Sequence, residues 1–146
     1  MKKLVLFLLT LLGFSTVYSQ NEENRPMMKY GVPRATFHLK GKVTNAQGRP
    51  VKEAQVIVKN EENGTADVFI TDKKGKFEYN TTIFPKEHTY QIEVSDLDGK
   101  KNKGDFETKT HEVLIHKEDY QITDDAWNRG DVIKEETIVL EKKNHK

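Results

Sequence analysis

Apolar and polar residues alternate with a period of two along much of this chain. Ala35, Phe37, Leu39, Gly41 and Val43 are interleaved with Thr36, His38, Lys40 and Lys42. Successive side chains of a strand point to opposite faces, so the pattern predicts a strand with one buried and one solvated face. The alternation recurs at Ala54, Val56, Val58 and at Tyr90, Ile92, Val94. Shorter segments, Val68 to Thr71, Phe77 to Thr81, Val113 to His116 and Thr137 to Leu140, complete a set of about seven. Phe37, Leu39, Val56, Phe77, Ile92 and Val94 form the expected core. Turn residues separate the strands. Asn45 to Pro50 ends the first, with Gly48 free to take positive φ and Pro50 unable to donate to a ladder. Asn63-Gly64 signals a hairpin between the second and third strands, and Asp72 to Gly75 links the third and fourth. With no long helical pattern, these features predict an all-β fold. It is a single β-sandwich of about seven strands with transthyretin-like or immunoglobulin-like Greek-key connections. A short helix is expected around Asp124 to Asn128.

The N-terminus follows a different rule. Lys2 and Lys3 precede a predominantly apolar run from Leu4 to Leu12, and small Ser19 stands before Gln20. A basic start, a short apolar stretch and a small residue at the cut form a secretory signal peptide. The stretch falls short of the roughly 20 apolar residues that a permanent span needs. The expected organisation is a signal peptide over 1–19, a flexible polar leader over 20–34, the sandwich over 35–142 and a basic tail over 143–146. The chain is therefore expected to be exported, periplasmic or secreted.

Composition narrows the function classes. The 24 basic and 23 acidic residues leave a net charge of +1, and removing the leader with Lys2 and Lys3 leaves 22 against 23. Such a balanced surface gives no electrostatic reason to expect nucleic acid or an anionic membrane as partner. The absence of cysteine removes disulfides, thiol catalysis and cysteine-type zinc sites. It also removes the residue that carries a bacterial lipid anchor.

Two segments carry a resemblance. Gly41 to Val51 followed by Ala54-Gln55-Val56 resembles the opening of carboxypeptidase-regulatory-like domains, in which a second strand follows a GxPVxxAxV turn. Thr71 to Phe77 is similar to the TDxxGxF hairpin of the same superfamily. The resemblance implies a transthyretin-like sandwich and no chemistry. A narrower one adds to it. Tyr30 to Phe37, running into Leu39-Lys40-Gly41-Lys42-Val43, resembles the YGxPxAxYxxKG start of a Bacteroidetes family of radical-SAM-associated lipoproteins. Asp96-Leu97-Asp98-Gly99, then Asn102 and Gly104-Asp105-Phe106, is similar to its DxDGxxNxGxF loop. That family implies a radical SAM enzyme as gene partner, whereas the missing cysteine departs from its usual lipidation.

Candidate chemistry is sparse. Past the leader there is one serine, Ser95, without a Gly-x-Ser-x-Gly elbow. His38, His88, His111 and His116 belong to no recognisable constellation and read as surface or strand-end residues. No catalytic residue and no cofactor is assigned. His111 and His116, five apart in a strand, point to opposite faces and do not share an ion. The loop carrying Asp96, Asp98 and Asp105 is the metal candidate, echoing positions three, five and twelve of an EF-hand loop. Position one would be Val94, which has no side-chain oxygen, and Lys100, Lys101 and Lys103 offset the charge. The plainer reading is a turn whose Asp side chains cap backbone amides. Trp127 and Tyr30 are the candidate partner contacts, Trp127 alternatively folding back to cap one end of the sandwich. The expected function is that of an exported non-enzymatic envelope protein, an accessory or substrate of a radical-SAM-associated system. A carbohydrate-binding or adhesion module is the alternative reading. The expected partner is the radical SAM enzyme or another envelope protein, with no nucleic acid and no stable membrane span.

Overall fold

The computed structural model of the chain describes residues 31–144 other than 100, 103 and 122. The signal segment, Tyr30, most of the leader and the end of the basic tail lie outside the described residues. Seven strands follow in order: β1 Arg34–Asn45, β2 Gln55–Asn60, β3 Ala66–Ile70, β4 Lys76–Ile83, β5 His88–Ser95, β6 Lys109–Ile115 and β7 Asn128–Leu140. They form two sheets, one ordered β4-β1-β7 and the other β3-β2-β5-β6. The expected all-β sandwich is what the chain adopts. Among the described residues no helix is long and apolar enough to cross a membrane.

The alternating positions fill the space between the sheets. Ala35, Phe37, Leu39 and Val43 of β1 are buried, as are Val56 and Val58 of β2 and Tyr90, Ile92 and Val94 of β5. All six residues expected to form the core are in it, Phe77 included. The two layers meet through aromatic rings. Phe37 packs on Tyr90 with centroids 4.8 Å apart, and Tyr79 meets Phe37 edge-on at 6.1 Å. Aromatic pairs in such tilted and T-shaped arrangements add about 0.5–1.5 kcal/mol beyond the area they bury.

The motif residues turn out to tie turns together. Asn45 Oδ1 accepts the N–H groups of Gln47 and Arg49, both at 3.0 Å, and Gly48 takes φ 76°. Buried Thr71 accepts the Ala54 N–H at 2.9 Å and donates to the Val51 carbonyl at 2.8 Å. Asp72 Oδ1 accepts from Lys74 and Lys76 at 2.8 and 2.9 Å, and Val43 N–H reaches the Gly75 carbonyl at 2.7 Å. The GxPV turn and the TDxxG turn are thus one hydrogen-bonded unit at one end of the sandwich.

Asp72 to Gly75 links β3 and β4 as expected, and because these lie in different sheets the link crosses from one layer to the other. Two expectations need correction. The segment around Asp124 to Asn128 is not helical. Its polar side chains hold turns instead, with Trp127 N–H on Asp125 Oδ1 at 2.8 Å and Gly130 N–H on Asn128 Oδ1 at 3.0 Å. The helical turn present is a short 3-10 segment, Lys117–Asp119. The last strand is 13 residues long and runs parallel to β1, from Arg34 opposite Asn128 to Asn45 opposite Leu140.

Candidate functional site

The strand directions place the polar features at two opposite ends. Ile83, His88 and Asn60 lie at one end, and Ser95, Lys76 and Leu140 at the other. At the first end, the β2–β3 turn and the segment between β4 and β5 enclose a recess of about 470 Å³ lined by Asn60, Glu62, Lys86, His88 and Tyr90 among others. Asn60 is buried at the end of β2. Its Oδ1 accepts the Glu62 N–H at 2.9 Å and its Nδ2 donates to the Tyr90 hydroxyl at 3.3 Å. That turn presents the Glu62 carboxylate to Lys86 Nζ and, at 3.3 Å, to His88 Nδ1. Lys86 donates a hydrogen bond to Glu62, and this is the main reason the carboxyl lies below its ordinary range.

His88 has a side chain only 5% exposed. Its Nε2 lies 2.7 Å from the Phe84 carbonyl oxygen. Its Nδ1, 3.3 Å from a Glu62 oxygen, has no partner in hydrogen-bond geometry. Burial pushes the Tyr79 and Tyr90 phenols above their ordinary value, and it pushes Tyr120 up to about 12. Tyr120 Oη donates to the Lys86 carbonyl at 2.6 Å, fixing the rim. No serine or cysteine lines the recess. It can hydrogen-bond a polar group but offers no activated nucleophile of those types.

The remaining histidines are separate. His38 Nδ1 pairs with Asn80 at 2.7 Å, and His111 Nε2 with Glu136 at 2.9 Å. The His116 backbone N–H binds Asp119 at 2.8 Å. Ser95 Oγ lies 3.1 Å from Thr108 Oγ1, with neither acting as a base. Among the described residues no three His, Asp or Glu side chains converge as metal ligands. His88 is at a strand end as expected, but it is buried rather than on the surface. Sequence reasoning missed Glu62 and Lys86 because they acquire a role only when two turns 24 residues apart come together.

Trp127 is 47% exposed at the same end. Its carbonyl accepts the Arg34 N–H at 2.8 Å. Its ring lies over the lead-in backbone, so that a Cβ on Gly31 would sit 3.0 Å from Cε3. It covers the lead-in rather than the core. Tyr30 lies outside the described residues.

At the opposite end, the structure splits the three acidic candidates. Asp105 Oδ1 pairs with Lys143 Nζ at 3.0 Å. Asp96 and Asp98 are brought together, and none of their four carboxylate oxygens has a hydrogen-bond partner. Burial first, and then the adjacent Asp98 carboxylate, push Asp96 above its ordinary range. The backbone N–H groups of Asp98 and Phe106 lie near enough to offset part of that rise. Neither has hydrogen-bond geometry toward the oxygens.

The Carboxypeptidase regulatory-like domain model matches residues 38–115, just over half of the chain. The chain belongs to that family. The match runs from within β1 to the last residue of β6, leaving out the parallel strand β7. Solved structures add fold-level likeness. 3-Chlorocatechol 1,2-dioxygenase from Rhodococcus opacus 1CP is 11% identical, with TM-score 0.51, 80% of this chain and 64% of that chain covered. Catechol 1,2-dioxygenase from Pseudomonas arvilla C-1 is 11% identical at TM-score 0.53, with 82% and 55% covered. Hydroxyquinol 1,2-dioxygenase from Pseudomonas putida DLL-E4 is 13% identical at TM-score 0.52, with 94% and 71% covered. At such identities the likeness shows the shared sandwich alone, and the chain spans 64% of the length of the first of these enzymes. No curated protein sequence matches significantly.

Proposed function

We propose that this carboxypeptidase regulatory-like domain is an exported, non-catalytic accessory or binding module of the cell envelope, served by a radical SAM enzyme. The observation that supports a non-catalytic role is how its motif residues are used. Asn45, Thr71 and Asp72 are spent on turn hydrogen bonds at one end of the sandwich. The expected histidines are dispersed among separate partners. Export is supported by the residues of 1–19, and the radical SAM partner by the resemblance of the Tyr30 to Val43 and Asp96 to Phe106 segments. A carbohydrate-binding module needs an exposed aromatic platform, whereas Phe37, Phe77, Tyr79 and Tyr90 are buried here.

The test is the intact mass of the chain purified from its native host, with and without deletion of a neighbouring radical SAM gene. A mass that departs from the processed sequence and reverts on deletion supports a substrate role. An unchanged mass with the enzyme expressed removes that role and leaves an accessory or binding one. Absence of any such gene nearby would remove the radical SAM partner altogether.

A further inference from the structure

Two carboxylates set side by side and shielded from water are stable only when something neutralises them, and among the described residues no side chain pairs with Asp96 or Asp98 of the β5–β6 loop. Each of the four carboxylate oxygens of Asp96 and Asp98 exposes less than 1 Å² and accepts no hydrogen bond. An ionised carboxylate removed from water without a partner is among the costliest arrangements in a folded chain, and a second one beside it adds repulsion. Native structures pair nearly all buried polar atoms, so such orphans mark a missing partner. Described residues of the loop are also tied down. The side-chain amide of Asn102 clamps the Lys52 backbone, donating to its carbonyl at 2.8 Å and accepting its N–H at 3.1 Å. Phe106 is buried, and Lys143 N–H binds the Asp105 carbonyl at 2.8 Å. The nearby Lys143 ammonium is taken by Asp105, and Lys101 reaches Glu53 at 3.9 Å instead.

We propose that Asp96 and Asp98 form a binding site for a divalent cation of calcium's class. Two carboxylates supply up to four of the six to eight oxygens that calcium takes, and backbone carbonyls and water complete its flexible shell. This is not an EF-hand, since Val94 is buried in β5 and Asp105 belongs to Lys143. A site with two acidic side chains falls in the weak range of extracellular modules, about 10⁻⁴–10⁻³ M. Magnesium, which demands a near-ideal octahedron, fits it less well. The competing arrangement is a proton shared between the two carboxyls, which needs no metal.

Thermal melts and calorimetric titration of the full-length chain separate the two. At about pH 7, about 5 mM calcium chloride should raise Tm by roughly 3 °C or more over chelator through mass action. Equivalent ionic strength of sodium chloride should not, and magnesium should act more weakly. Asp98→Asn removes the repulsion and one negative charge, leaving a neutral amide oxygen as the weaker ligand. It should melt no lower than the wild type in chelator and gain clearly less from calcium. A wild-type Tm and calorimetric trace that ignore calcium would overturn the proposal in favour of the shared proton. A calcium gain retained in full by Asp98→Asn would overturn it too, by placing the ion elsewhere. The wild-type titration decides even if the variant fails to fold.

Discussion

Replacing Gly41 by alanine sets a methyl group against the ring of Phe77. The two residues are direct partners across the antiparallel β1–β4 ladder. A Cβ on Gly41 would lie 2.0 Å from both Cε1 and Cζ of Phe77 and 2.8 Å from Cδ1. Ordinary carbon contacts are about 3.5–4.0 Å, so the ring must leave its place. It has little room, since Phe77 is buried between the sheets. Overpacking of this kind costs about 1–3 kcal/mol. Expelling the ring forfeits a further part of the roughly 1.5–3 kcal/mol that its burial contributes. Alanine returns about 0.5–1 kcal/mol in a strand by restricting the unfolded chain. The net expectation is a loss of about 2–4 kcal/mol, a large share of the 5–15 kcal/mol typical of a domain. Urea unfolding followed by circular dichroism should show a lower midpoint with unchanged slope. Phe77→Ala alone should cost about 3–5 kcal/mol. In the Gly41→Ala/Phe77→Ala double variant the clash has lost its partner, so the double should cost about as much as Phe77→Ala alone. A Gly41→Ala protein within about 0.5 kcal/mol of wild type, or additive effects in the double, would refute the register and the packing assigned here.

Two further outcomes follow from the polar groups. His88→Ala should lower stability by about 1–3 kcal/mol in urea unfolding, because the Phe84 carbonyl loses a buried partner; no change would mean that solvent already satisfies this end. In acid, Glu62, Asp72 and Asp119 act together. Lys86 hydrogen-bonds Glu62, and the Lys76 N–H leads the groups that hold Asp72 down. Burial raises Asp119, but Lys134 and the His116 N–H together outweigh it. Their folded values are depressed, so the stability they contribute is present above the unfolded carboxylate range of about 4 and is lost as pH falls through the folded values. Asp96, raised in the fold, acts in the opposite sense and gains as pH falls through its folded value. Melts between about pH 5 and 2 should therefore show falling Tm, with a shallower acid limb in Asp119→Asn; an equally steep limb would remove Asp119 from the account.

The sandwich was legible wherever one strand face is dry and the other wet. β1, β2 and β5 alternate almost without exception, since each lies inside its sheet and is covered on one side. β7 was legible only at its end. In Asn128–Leu140 the buried positions are Val132, Ile138 and Leu140, while Ile133 is 57% exposed and charged residues intervene. Its strand character comes from parallel pairing with β1, a long-range contact that leaves no local period. β3 hides its geometry for a related reason: Val68 and Ile70 of this edge strand are exposed, so apolar residues there did not reveal which face is inside. A short helix is expected around Asp124 to Asn128, but Asp125 caps a turn instead. The candidate sites divide the same way. The DxDG spacing brought Asp96 and Asp98 to notice, yet the shielding of their carboxylate oxygens from water arises only in the fold. The His88 recess has no sequence signal, because its parts meet only in the fold.

Export is the claim on which the proposed role rests, and N-terminal sequencing of the chain recovered from fractionated native cells tests it most directly. The account predicts a chain beginning at Gln20 in the soluble envelope or culture fraction. Full-length chain beginning at Met1, held in the inner membrane or recovered from the cytoplasm, would contradict it.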